Sequence, residues 1–449
     1  MNIRTLIWGG LSLAALNLSA QSTPLSIERA LFLAETQNAQ VQVNDMERDV
    51  AKQVLRQNIA LGLPSISAAA QYVDNIELPA QFFDINQDGV IDKLRFGTRY
   101  SSVGNVSVNQ LVFDGSYFVA VLAAQVVKDI AEADYEKAII DARIATANAY
   151  HLNVILAENE KVLEQNLQLI AQNVVELEAM ASAGLIEAEE VDQLRLSMGS
   201  LQANLNFIRA QQSVADNLLK LQCNLNPDAE LQLTTSLNDL LASPAFNVVT
   251  QTDESFDVAQ HIDYRSLAAG RMGTQLQLQN ERVQFLPKVY ASYGWNQQYV
   301  SEDAMVWDPD GTMANSTQFS SWSISSSWDL FTSGRRLARV QEQKIKLAEM
   351  DLMLDNTAQA LTLQFQTAKS ELVNALSHYR LQTQNEEIAK RLLDQARIKL
   401  TQGVIGSMEF TQVQTQYQQA VAAKLSAAQQ VLDKGIALEK AQGIQTQSK

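Results

Sequence analysis

The sequence predicts a mainly α protein with a small β part, built from a helix-strand-strand-helix-helix unit that occurs twice. Three observations carry this. Only 18 glycines and 7 prolines punctuate 449 residues, too few for the turns of a sandwich or of a barrel closed by one chain. The stretches Gly115 to Gly184 and Gly334 to Gly403 contain no proline, and at 1.5 Å per residue a helix of that length reaches about 100 Å, which no compact globule holds. Short marks also recur in one order. Leu63-Pro64-Ser65-Ile66 matches Leu286-Pro287-Lys288-Val289, Leu111-Val112-Phe113-Asp114-Gly115 matches Leu330-Phe331-Thr332-Ser333-Gly334, and Ala183-Gly184-Leu185-Ile186 matches Gln402-Gly403-Val404-Ile405. The step from Gly115 to Gly334 equals that from Gly184 to Gly403, 219 positions.

Taken in order, residues 1–20 read as a cleaved signal peptide: a positive start at Arg4, an apolar run from Leu6 to Leu18, then Leu18-Ser19-Ala20 before Gln21. The first repeat spans 21–225. Residues 26–62 form a helix that Pro64 stops, because its ring cannot continue one. Strands follow over about 63–76 and 100–113, then a helical hairpin over about 115–224 with its tip near 184. Residues 226–262, with Pro227, Pro244 and acids at Asp253, Glu254 and Asp257, form an irregular connector. The second repeat, 263–449, has strands over about 287–300 and 318–331 and a hairpin over about 334–442 with its tip near 403. The strands show period-two patterning: Val289, Ala291, Tyr293 and Trp295 on one face, and in the next strand Trp322, Ile324, Trp328 and Leu330 opposite Ser323, Ser325, Ser327 and Asp329. Leu194, Leu201, Leu205 and Ile208 have heptad-like spacing, so the hairpins pack as coiled coils.

Composition excludes several functions. Fifty acidic residues against 34 basic ones give a net charge of -16, which opposes a phosphate backbone, so no nucleic-acid partner is expected. One cysteine precludes an internal disulfide, and three scattered histidines supply neither a zinc site nor a catalytic constellation, so no enzyme is expected. Cys223 fits a small buried hydrophobe. No window after the signal reaches 18 consecutive apolar residues, so any membrane role falls to the strands. A membrane barrel needs at least about eight strands and one chain supplies four, which demands self-association. From the strands alone, a membrane barrel and an ordinary half-buried sheet both remain open.

The chain resembles the TolC-like outer-membrane factors, the exit ducts of tripartite efflux and type I secretion systems. Leu25-Ser26-Ile27-Glu28-Arg29-Ala30, Leu63-Pro64-Ser65-Ile66, Phe113-Asp114-Gly115, Thr146-Ala147-Asn148-Ala149-Tyr150 and Ala183-Gly184-Leu185-Ile186 carry the resemblance across the mature chain. It implies a homotrimer whose twelve pooled strands form one transmembrane β-barrel in the outer membrane of a Gram-negative bacterium, with the helices forming a long α-helical barrel in the periplasm. Implied partners are outer-membrane lipid, a periplasmic adaptor protein and an inner-membrane RND or ABC pump that supplies the energy for a passive channel. The resemblance places Gly184-Leu185 and Gly403-Val404 at tips that meet the adaptor, and Glu190 and Glu409 at a constriction, with Glu187 and Glu189 adding charge. Three copies of such carboxylates would form a negative ring. A solvated acidic first turn of a helix accounts for the same residues. The second acid frequent in the family is replaced by Gln193 and Gln412.

Tyr72, Tyr293, Trp295, Trp322 and Trp328 are of the type found at membrane interfaces. Asp84, Asn86, Asp88 and Asp92, with Gly89 at the sixth position, follow the start of a calcium loop, but Arg95 stands where the bidentate Glu belongs. A weak extracellular calcium site and an Asx-rich turn both fit, and no other cofactor is expected. A rival from another class is a secreted scaffold of helical hairpins that never enters a membrane. Drug efflux and protein secretion also remain open, since cargo is selected by pump and adaptor.

Overall fold

The computed structural model describes residues 23–83, 92–242, 256–302, 304, 306 and 315–443. The expected signal peptide therefore lies outside the described residues.

The chain begins with β1 (Thr23–Leu25), α1 (Ile27–Gln37) and α2 (Ala39–Ala60). Ser26 caps α1, its hydroxyl accepting from the Arg29 N–H at 3.2 Å. The single helix expected over 26–62 is thus two. Asn38 separates them: its Oδ1 accepts from the Gln40 N–H at 2.9 Å and its Nδ2 donates to the Gln222 carbonyl at 3.0 Å. A short polar side chain that bonds nearby backbone offers an alternative to the helical ladder. Next come β2 (Ser65–Asp74), β3 (Ala80–Phe83), β4 (Asp92–Arg95) and β5 (Tyr100–Phe113). The hairpin α3 (Gly115–Ser182) and α4 (Ala188–Gln222) completes the first repeat, Asp114 opening α3 by accepting from the Ser116 N–H at 2.8 Å.

The described part of the connector holds regular elements that its composition does not suggest. It contains β6 (Leu231–Leu233) and α5 (Leu237–Leu241), followed by a 3-10 turn at Val258–Gln260. β6 pairs in parallel with β1, and Ser236 and Asp239 form a reciprocal capping box that starts α5. The second repeat then runs through α6 (Ile262–Val283), β7 (Lys288–Ser301), β8 (Ser316–Ser327), α7 (Arg335–Thr401) and α8 (Ser407–Gln442).

Two compact units emerge, and neither is a sequence repeat. One takes in the described residues up to Met46, Ala133–Arg265 and those from Asn356 onward; the other takes in Glu47–Glu132 and Ser266–Asp355. In the first, coiled-coil packing buries Leu194, Leu201, Leu205 and Ile208, the residues that the heptad spacing selects. Near the tips Ile170, Leu177, Leu194, Leu393, Leu400 and Phe410 share one core. A separate core gathers Leu25, Tyr150, Leu219, Cys223 and Leu432, where the Tyr150 hydroxyl donates to the Leu25 carbonyl at 3.0 Å. Cys223 is fully buried, and burial pushes its thiol up to about 11, so it behaves as a small hydrophobe.

The second unit holds an antiparallel sheet of order β2-β5-β7-β8. β3 and β4 form a separate hairpin in what reads from sequence as plain loop. β8 ends at Ser327, so the strand expected to continue to Phe331 stops earlier. Trp328 has turned away to donate from Nε1 to the Phe285 carbonyl at 2.9 Å, and Ser333 and Gly334 adopt positive φ in the following turn.

Candidate functional site

Strand register sorts the sheet into two chemically different faces. Ile66 pairs with Val108, Val108 with Tyr293, and Tyr293 with Trp322. Paired residues share a face, so these four line up across all strands, joined by Ala68, Val106 and Trp295 one step along and by Ala291 and Ile324 on the other side. The opposite face is polar and internally hydrogen-bonded: Ser67 with Ser107 at 2.8 Å, Asn105 with Asn296 at 3.0 Å, and Ser292 with Ser323 at 2.8 Å. Isolated patterning in β2 or β5 is too weak to reveal this band, because Ala69 and Val73 fall among its serines. Pairing with β7 and β8 makes it legible.

The aromatic residues expected at an interface are largely open. Tyr72, Tyr293, Trp322 and Trp328 are exposed, Trp322 to 74%, while Trp295 is half-buried. Tyr72 stacks on Tyr100 with ring centroids 6.3 Å apart and donates to the Ala304 carbonyl at 2.8 Å. Trp328 lies beyond the strand, so it does not share the Trp322 face by strand parity. No helix among the described residues is long and apolar enough to cross a membrane. Asp84, Asn86 and Asp88 lie outside the described residues, and Asp92 opens β4.

Both hairpin tips have one backbone design. Gly184 and Gly403 have φ of +71° and +68°, the left-handed region that costs a side chain strain. After each glycine an apolar residue reaches back to the outgoing helix: the Leu185 N–H donates to the Met180 carbonyl at 3.0 Å and the Val404 N–H to the Lys399 carbonyl at 2.8 Å. The side chains of Leu185 and Val404 stay 70% and 66% exposed, so each tip presents a bare apolar residue.

The acids differ. Glu187 is the residue capping α4, without a side-chain cap bond, and Glu189 and Glu409 are exposed. Glu190 is half-buried, and its carboxylate accepts from the Ser407 N–H at the start of α8. Gly406, the residue before, has no side chain with which to cap α8, and a Cβ there would sit 3.1 Å from the Glu190 carboxylate. One hairpin thus supplies the N-cap of the other, satisfying an N–H that the helix leaves open and placing a negative charge at its positive end. Sequence reasoning missed Ser407 and Gly406; the one signal was a helix start without a capping side chain.

No group of His, Cys, Asp and Glu among the described residues is arranged to hold a metal. His151 is buried, its Nδ1 has no partner among the described residues, and burial lowers its pKa to about 4.

Residues 259–444 match the model of the outer membrane efflux protein family. Over this stretch the chain is similar to the outer membrane efflux proteins. The resemblance in the sequence motifs is therefore borne out. The fold extends the likeness to nearly the whole chain. The outer membrane protein VceC of Vibrio cholerae aligns at 17% identity with a TM-score of 0.69, covering 93% of this chain and 96% of that one. The CmeC outer membrane channel of Campylobacter jejuni aligns at 16% identity and a TM-score of 0.70, covering 99% and 93%. The open state of the MtrE outer membrane channel of Neisseria gonorrhoeae aligns at 15% and 0.71, covering 93% and 89%. At these identities the likeness establishes the efflux-protein fold. No curated protein matches the sequence.

Proposed function

We propose that the protein is a passive duct of the outer membrane, assembled from three copies, through which solutes leave the periplasm. The observation that carries this is the sheet. Its strands of 10 to 14 residues are long enough to cross a bilayer, one face carries the apolar and aromatic residues and the other a hydrogen-bonded Ser and Asn band, and β2 and β8 have no partner on their outer edges among the described residues. Open edges in lipid leave N–H and C=O groups unsatisfied, so such a sheet is stable there only when closed by further copies. Three copies supply twelve strands, with the apolar face outward and the serines inward. The similarity of residues 259–444 to the outer membrane efflux proteins supports this reading. The exposed Leu185 and Val404 suit contact with a periplasmic adaptor, behind which an RND or ABC pump supplies energy. Glu409, Glu187 and Glu189 supply free carboxylates for a cation-attracting ring at the tips, whereas Glu190 is engaged by α8.

The test is a cysteine pair, Ser67→Cys in β2 and Ser321→Cys in β8, which share the polar face, in a Cys223→Ser background. Oxidation in detergent is expected to link copies into closed trimers. A product that stays monomeric in detergent and dissolves without it would overturn the reading.

A further inference from the structure

His261 joins two helix ends that lie far apart in sequence. It is 3% exposed and immediately precedes α6, where its Nδ1 accepts from the Asp263 N–H at 3.2 Å, so the imidazole serves as the helix N-cap. With Nδ1 acting as acceptor, the neutral ring carries its proton on Nε2, on the side that packs against the end of α8. One neutral ring therefore satisfies an orphan N–H of α6 while packing against the end of α8. Gly443, which ends α8 at φ 59°, packs directly on this ring: a Cβ there would lie 2.2 Å from His261 Cδ2. The Ile262 N–H donates to the Gly443 carbonyl at 3.2 Å, closing the joint on its other side.

We propose that His261 is an acid-sensitive catch fastening the C-terminal end of α8 to the first turn of α6. This device goes beyond the duct reading. Protonation places a hydrogen on Nδ1, which then faces the Asp263 N–H donor to donor, and the cap is lost. The groups around the ring do not offset this. On α6 the Asp263 carboxylate stands 3.9 Å from Nδ1 but is ion-paired with Lys137 of α3. Just beyond α8 the ring meets Gly443, and from the connector it meets the Phe256 ring, edge-on at 6.3 Å between centroids. Burial is the largest influence and lowers the pKa of His261, ahead of the opposing pull of Asp263 and Lys440. A proton that the closed joint excludes and the open joint accepts weakens the joint as pH falls below the ordinary histidine value of 6.5.

Hydrogen exchange with mass spectrometry on the full-length protein tests this, comparing peptides over 258–265 and 436–443 at pH 7.5 and 5.5 after correction for intrinsic rates. Opening is expected to rise at the lower pH, one pH unit below the open-state pKa, by at most about tenfold. In His261→Asn, which keeps a capping oxygen but takes up no proton in this range, the same peptides should show no such step. Unchanged exchange in the wild type, or an equal step in H261N, would overturn the catch. Should H261N fail to fold, a wild-type pH series decides. A rise beginning near pH 6.5 supports the histidine, and a rise confined to the carboxylate range overturns it.

Discussion

The two helical hairpins share a backbone plan and differ in what they bury. At both tips a glycine with positive φ ends the outgoing helix, and the next residue bonds back across it with nearly equal geometry. The contents of the plan have diverged. Position 191 is a buried Val, while its equivalent 219 positions on, Phe410, is a fully buried aromatic. His151 is buried in the first hairpin, whereas its equivalent Ser370 is exposed. Glu190 caps the opposite hairpin, and Glu409 faces solvent. Duplication has thus kept the turn, which depends on backbone conformation, and released the side chains, which depend on neighbours unique to each copy.

The comparison can be strained most at the aromatic. Phe410→Ala should cost about 3–5 kcal/mol, and Val191→Ala roughly 1–2 kcal/mol, because the larger side chain leaves the larger cavity. Chemical unfolding followed by circular dichroism checks both, and equal costs would show that the two tips are packed alike after all. His151 gives the next effect. Its pKa in the fold is lowered to about 4 by burial, so its contribution is complete above the unfolded value of 6.5 and is lost as pH falls from there toward 4. That loss is on the order of 3 kcal/mol, and His151→Leu should remove it, visible as a flatter dependence of the unfolding midpoint on pH.

The glycines should behave as twins. A Cβ at either position meets no atom within 4 Å, so Gly184→Ala and Gly403→Ala carry only the strain of a positive φ, about 1 kcal/mol each. A clear inequality between them would break the shared backbone plan. The smallest difference concerns the acids. Glu190→Gln should destabilise by about 0.5–1 kcal/mol through its cap on α8, while Glu409→Gln should stay within about 0.5 kcal/mol of wild type. The same pair tested for ion selectivity sharpens the picture: neutralising Glu409 should weaken cation preference more than neutralising Glu190.

Much of the fold is legible in the sequence where one local rule decides. Pro64 and Pro287 separate helix from strand, Gly184 and Gly403 mark the tips, and Leu194, Leu201, Leu205 and Ile208 announce the coiled-coil face by their spacing. What is not legible depends on distant partners. Asn38 breaks a helix by bonding Gln222, 184 positions away, and β1 exists only because β6 lies beside it. The polar band of the sheet shares this origin, since Asn105 gains meaning from Asn296. At the candidate site the tip glycines follow from backbone preference, whereas the contact of Glu190 with Ser407 spans 217 positions and leaves no local trace. α5 is an intermediate case: its capping box at Ser236 and Asp239 is a local signal, hidden inside a segment that its prolines mark as irregular.

The central claim, that copies of this chain close into a membrane-spanning duct, is tested most directly by single-channel recording of the purified protein in a planar lipid bilayer. The account predicts discrete, cation-preferring conductance steps from a detergent-solubilised trimer, with the preference reduced in Glu409→Gln. A monomer that stays in solution without detergent and leaves the bilayer silent would contradict it.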